Sequence, residues 1–285
     1  MALKIIDTHP HCISPDTTRY PLAPLKGLRS SWSSAHTLTP DELIKAMDEA
    51  GVAKAALVHS STTYGFNCDL VVDAVKAYPN RLTGVFSVNV EEPDAPAKMS
   101  EWKAKGLTGM RIFVTGTTIS ESWLDIGDKK LFPCYERATE LGLPIALNIK
   151  PDLFPRLLIA AKQFPGVKFL VDHTANSNFN GGPPFAGAAP LRTLASQSNI
   201  YFKVTAHNIT DKNKLGWDKP LDVMNFLISE FGTKRLMWGS NFPATPTPLA
   251  NHVAISKAAF SGLSTADQEQ IFSKTAESVY PALAG

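Results

Sequence analysis

Along the chain, short and nearly continuous apolar runs alternate with longer stretches in which apolar residues recur every three to four positions. The short runs are "LKIID", "KAALVHS", "LTGVFSVN", "LTGMRIFV", "LPIALNI", "VKFLVDH", "IYFKVTA" and "RLMWGS". Apolar runs of strand length without polar alternation are what a strand buried on both faces requires, as in a parallel sheet covered by helices. The longer stretches carry helix punctuation. In "LTPDELIKAMDEAG", Thr39 is placed to N-cap, Pro40 takes the first helical position, Glu42 closes a capping box and Gly51 ends the helix. "DAPAKMSEWKAKG", "KKLFPCYERATELG", "PDLFPRLLIAAKQFPG", "APLRTLASQS", "KPLDVMNFLISEFG" and "PLANHVAISKAAF" follow the same theme, and Pro133 marks either a helix start or a kink.

Eight strand candidates alternating with helices predict an α/β protein, a (β/α)8 TIM barrel formed as a single domain over residues 1–285. A doubly wound open sheet is the rival arrangement. No GxGxxG or GxxxxGK[ST] follows any strand candidate, so nucleotide binding has no support. The longest irregular stretches, residues 12–38 and 174–190, both follow strand ends, where a barrel carries its substrate loops.

Composition narrows the class of function. A net charge of +2 with no basic cluster or acidic tail gives no electrostatic surface for nucleic acid. No apolar run is long enough to cross a bilayer. "MALKIID" is not a secretory signal, having no basic segment ahead of a long apolar core. Cys12, Cys68 and Cys134 are odd in number and lack a CxxC pairing, which fits reduced thiols in a cytoplasm. Cys12 reads as a small buried thiol.

The candidate chemistry begins in "LKIIDTHPHC". Alternation along a strand places Asp7, His9 and His11 on one side, near that strand's C-terminal end, where converging imidazoles can bind a metal or move protons. An HxH pair alone arises easily by chance among seven histidines. Later strand ends strengthen it: "FLVDHTA" supplies His173 and "LMWGSNFP" supplies Asn241. His59, at the second strand's end, is a further candidate. His36 and His252 read as surface or capping residues, and Trp32 and Trp217 as packing residues.

With HxH after the first strand, His after the sixth and a "GSNFP" turn after the eighth, the whole chain resembles the amidohydrolase superfamily, in its amidohydrolase-related branch. "RYPLAPLKG", "LVHSSTTYGFN" and "GLTGMRIF" resemble the 2-pyrone-4,6-dicarboxylate lactonases and sugar lactonases of that branch. The resemblance implies a hydrolase that opens a small carboxylated lactone, so the expected partner is a small anionic carboxylate or lactone substrate. It implies His9, His11, His173 and Asn241 as the catalytic group and Arg111 as the ligand of a substrate carboxylate. Ser61 and Tyr64 would line the same pocket, with Lys203 and His207 as further substrate ligands.

Three positions depart from the branch's pattern. The fourth strand carries Arg111 where binuclear members have a carbamylated lysine. The fifth has no histidine, and the eighth ends in Asn241 rather than Asp. An amide neither takes a proton from water at neutral pH nor ligates a metal well. The carbonyl would therefore be polarised either by one divalent metal such as zinc on His9, His11 and His173, or by the imidazoles themselves. With two usual ligands absent, the metal-free site is favoured. Two further readings stand beside the hydrolase: a non-hydrolytic member of the branch, a lactone isomerase or decarboxylase, and a catalytically silent barrel that binds a ligand.

Overall fold

The computed structural model describes residues 3–210, 219–245 and 247–285; Trp217 lies outside them. Its strands are β1 (Ile6–Asp7), β2 (Lys54–Val58), β3 (Leu82–Phe86), β4 (Leu107–Phe113), β5 (Ile145–Asn148), β6 (Phe169–Val171), β7 (Ile200–Val204) and β8 (Leu236–Trp238). All pair in parallel and in chain order, giving one eight-stranded sheet. An unbroken order with helices between strands is the (β/α)8 barrel, because a doubly wound sheet reverses its order at a switch point.

The barrel closes through a seam. The Thr8 N–H and hydroxyl donate to the Trp238 carbonyl (3.2 and 2.7 Å), the Asn241 N–H to the His9 carbonyl (3.0 Å), and the His11 N–H to the Phe242 carbonyl (2.8 Å). Gly239 permits this approach, since a Cβ there would lie 2.8 Å from His9 Cβ. A larger residue would push the two ends apart.

The main helices are α1 (Pro40–Ala50), α2 (Asp69–Ala77), α3 (Ala95–Ala104), α4 (Phe132–Leu141), α5 (Phe154–Gln163), α6 (Pro220–Phe231) and α7 (Leu249–Ala259). The capping box on α1 is complete: the Glu42 N–H donates to the Thr39 hydroxyl and the Thr39 N–H to the Glu42 carboxylate, and Gly51 ends the helix with φ 70°. Pro133 sits in the first turn of α4 and starts that helix instead of kinking it. Most of "APLRTLASQS" falls in a 3-10 run, Ala186–Ser196, because Pro190 lacks the N–H that an α-helical ladder needs. α2 and the C-terminal helical run through Thr265–Glu269, Gln270–Lys274 and Thr275–Val279 are additions to the expected set. Among the described residues no helix is long and apolar enough to cross a membrane. The three cysteines are buried and unpaired, and burial pushes the Cys68 thiol up to about 12.

Two apolar cores follow from strand parity. Leu57, Phe86, Leu147, Phe169, Phe202 and Trp238 face the helices, while Ile6, Ala56, Val58, Val85, Ala146, Leu170 and Met237 fill the barrel with Tyr280 and Leu283. Side chains two positions apart share a face. Arg111, Asp172 and Lys203 therefore follow Gly109, Leu170 and Tyr201 into the barrel interior, above the apolar filling. The fold thus carries three formal charges into its own centre.

Candidate active site

A cavity of about 340 Å³ opens at the C-terminal ends of the strands. His11, Arg111, Asn148, His173, His207 and Asn241 line it, drawn from the ends of strands spread over most of the chain. Trp32, expected to be a packing residue, also lines it and stacks on His11 with ring centroids 5.3 Å apart. It is carried there by a one-turn helix, Ser31–Ala35, within the long loop after β1.

The three expected imidazoles come together. The His9 ring lies 4.9 Å from that of His11 and 4.5 Å from that of His173, edge to face in both cases. His11 and His173 reach the cavity, while His9 is fully buried behind them. His11 Nδ1 meets the Val58 carbonyl at 2.7 Å, and His173 Nδ1 meets the Thr205 hydroxyl at 2.7 Å. Burial, reinforced by the charge of Arg111, lowers His11 to about 3. Burial likewise lowers His173 to about 3, against the pull of Asp172. Both are neutral imidazoles at pH 7.

The backbone that aims His173 is unusual. His173, Thr174, Ala175 and Asn176 have φ of 54, 49, 56 and 50°, a full left-handed turn with no glycine. L-residues resist this conformation at roughly 1–2 kcal/mol each, and a β-branched threonine resists most. Strain of this kind persists where its surroundings over-determine it, commonly at functional sites. Here the turn delivers both His173 and Asn176 to the cavity wall. Asn241 also has positive φ, 61°, a conformation that Asn and Asp tolerate. Position 241 is thus constrained by its backbone as well as by its chemistry.

Beneath the cavity floor stands Asp172, passed over in the sequence in favour of its neighbour His173. Its Oδ2 accepts from Arg111 Nε at 3.0 Å, and its Oδ1 lies 3.2 Å from Lys203 Nζ and 3.3 Å from His9 Nδ1. Burial alone would raise this carboxyl, but the charges of Lys203 and Arg111 outweigh it and hold Asp172 well below the usual carboxylate range. A charged residue inside the apolar run "FLVDH" was the signal available in the sequence, since an acid is seldom buried without a partner.

Several expected positions lie away from the cavity wall. Lys203 was expected to touch substrate; it is fully buried, held by Asp172 and His9, and does not line the cavity. Ser61 and Tyr64 are also absent from the lining, where Ser60 and Thr62 stand instead. Ser61 Oγ is turned to Ser87 Oγ at 3.0 Å, and the Tyr64 hydroxyl accepts from the Ser14 N–H at 2.8 Å. His59 is spent on the Gly65 carbonyl at 2.8 Å. Asp7 does not join the histidines: β1 ends at Asp7, so strand alternation stops before His9. Its Oδ1 accepts from the His9 and Ser240 N–H groups, and its Oδ2 from the Ser240 hydroxyl. Arg111 is at once the partner of a buried carboxylate and part of the cavity wall.

A divalent metal on His9, His11 and His173 can be judged by what the other ring nitrogens do, since a ligating histidine donates its second N–H to an acceptor. His11 satisfies this through the Val58 carbonyl. His9 Nδ1 stands 3.3 Å from the Asp172 carboxylate and 3.3 Å from the Lys203 ammonium, so the acceptor it would need is contested by a second donor. Among the described residues no three or more His, Cys, Asp or Glu side chains are arranged to hold a metal ion. Asn241 contributes an amide where a carboxylate would be needed. The donor set does not fit the metal.

Comparison with known proteins agrees with this architecture. The amidohydrolase family profile matches residues 6–282, and the chain belongs to that family. An L-fucono-1,5-lactonase of Burkholderia ambifaria is 22% identical over 214 residues, covering 75% of this chain and 72% of that protein. A Pseudomonas putida structure, described as a 2-pyrone-4,6-dicarboxylic acid hydrolase, superposes with a TM-score of 0.80 at 20% identity, covering 100% of both chains. An amidohydrolase of Burkholderia multivorans with bound zinc superposes with a TM-score of 0.76 at 15% identity, covering 98% of this chain and 99% of that one.

Proposed function

We propose that this protein is a lactonase, hydrolysing a small carboxylated cyclic ester at the barrel mouth. The observation that carries the reading is the meeting, in one cavity, of two neutral imidazoles with a permanent cation: His11, His173 and Arg111. The similarity to an L-fucono-1,5-lactonase and to a protein described as a pyrone dicarboxylic acid hydrolase supports the same substrate class.

Each residue then has a part. Arg111, anchored through Nε on Asp172, offers its remaining donors to a substrate carboxylate, for which a planar fork is suited. His11, its Nδ1–H donated to the Val58 carbonyl, presents Nε2 as an acceptor that orients a water molecule beside His173, with Asn241 and the neighbouring amides donating to the ring carbonyl. Water adds to the carbonyl carbon, the ring C–O bond breaks, and a water proton passes to the released ring oxygen, leaving a hydroxy acid. No step is assigned to a metal. The buried unpaired thiols accord with a cytoplasmic setting.

A pH-drop assay against paired neutral and carboxylated lactones tests this. Arg111→Ala is expected to raise KM for carboxylated lactones by about 30-fold, equivalent to roughly 2 kcal/mol, with neutral lactones little changed. Failure to open any lactone, or equal losses on charged and neutral substrates, overturns the reading. Asn241 favours one alternative, a non-hydrolytic isomerisation or decarboxylation that needs no carboxylate to activate water. NMR of the product separates the two, because hydrolysis alone incorporates solvent oxygen.

A further inference from the structure

Lys203 is the most buried cation in the described structure without a role in the cavity. Its Nζ reaches two groups, Asp172 Oδ1 at 3.2 Å and His9 Nδ1 at 3.3 Å. Both an acid and an ammonium therefore approach the same imidazole nitrogen, and they make opposite demands. A carboxylate needs a proton on Nδ1, whereas an ammonium, which has three donors and no acceptor, needs a lone pair there.

The geometry decides between them. Lys203 Nζ and His9 Nδ1 are aligned as a hydrogen bond. Asp172 Oδ1 lies near both groups but is aligned for a hydrogen bond with neither. Lys203 faces its counter-charge, Asp172 Oδ1, at 3.2 Å, so the lysine is an ammonium. A proton on Nδ1 would leave Lys203 without its one aligned acceptor. An unsatisfied buried charged donor costs more than an unsatisfied neutral one.

We propose that Lys203 is a positioning residue that fixes His9 as the tautomer protonated on Nε2. His9 is then a hydrogen-bond donor held behind His11 and His173, unable to offer Nε2 to a metal or to accept a proton there. His9 Nε2 itself is buried with no partner among the described residues. Lys203 acts through His9 and does not itself touch substrate. Only the kinetic part of this proposal rests on the lactonase reading.

The test is 15N NMR of the full chain with labelled histidine, His9 being assigned by comparison with His9→Gln. The wild-type protein is expected to show a pyridine-type Nδ1 and a pyrrole-type Nε2 for His9. In Lys203→Met only Asp172 still faces Nδ1, and the two signals are expected to exchange character. Lys203→Gln, whose amide can still donate, is expected to keep the wild-type pattern. A pyrrole-type Nδ1 in the wild-type protein overturns the proposal, as does an unchanged tautomer in a folded Lys203→Met. Should Lys203→Met not fold, the wild-type spectrum still decides. On any lactone that the wild-type protein opens, Lys203→Met is expected to lower kcat by about 10²-fold, the loss of one positioned donor, with KM nearly constant. Were no lactone opened, the tautomer assignment would still be read directly.

Discussion

Asp7 and Asp172 are the same residue type, both with 0% exposure, each at the C-terminal end of a barrel strand, yet the protein uses them in opposite ways. Asp7 accepts from the backbone N–H groups of His9 and Ser240 and from the Ser240 hydroxyl, and so ties the first strand to the last. Asp172 holds side chains: Arg111, Lys203 and His9 gather on it. Burial raises Asp7 above the usual carboxylate range despite its hydrogen bonds, whereas the cations overcome burial and lower Asp172. Burial fixes how much a carboxylate must recover, and its partners decide whether it closes a fold or charges a site.

The largest expected effect breaks the Asp172 side of this contrast. Asp172→Ala leaves two buried cations without their counter-charge and is expected to lower unfolding stability by about 3–5 kcal/mol. Urea denaturation measures it, and a loss below about 1 kcal/mol would show that the cluster is held by something else.

Acid sharpens the contrast next. His11 and His173 are lowered to about 3 and His59 to about 4, from an ordinary value of 6.5. Between those values the unfolded chain binds more protons than the folded one, so stability falls as pH drops from 6.5 towards 4. Asp172, lowered, keeps its contribution above the ordinary carboxylate value and loses it only as pH falls through its own low value. Asp7, raised, works in the other direction: its contribution is present at low pH and lost as pH rises. The urea midpoint is expected to decline steadily from pH 7 to pH 5, and a flat profile would mean that the imidazoles are not held neutral.

The Asp7 side breaks more gently. Asp7→Ala strands two backbone N–H groups and is expected to cost about 1–3 kcal/mol. Asp7→Asn keeps an acceptor for both and turns a donor towards Ser240 Oγ, so a change below about 1 kcal/mol is expected. A larger loss in Asp7→Asn than in Asp172→Asn would reverse the assignment of the two acids.

Much of the architecture is legible in the sequence, because its signals are local. Eight apolar runs became eight strands in chain order, and Thr39, Glu42 and Gly51 bound a helix where capping chemistry places it. His9, His11, His173 and Asn241 could be named from strand-end position and resemblance. What the sequence could not determine was direction. Lys203 and Arg111 look alike as polar residues within apolar strands, but one lies sealed under the floor and the other reaches the wall. Ser61 and Ser60 are adjacent, and only Ser60 faces the cavity. Asp172 gathers partners from β4, β7 and the segment just after β1, and no spacing along the chain announces that meeting. Strand parity turns Arg111, Asp172 and Lys203 inward. How far each reaches, and which charge it meets, depends on the barrel closing through Gly239, and only the folded chain brings those distances into being.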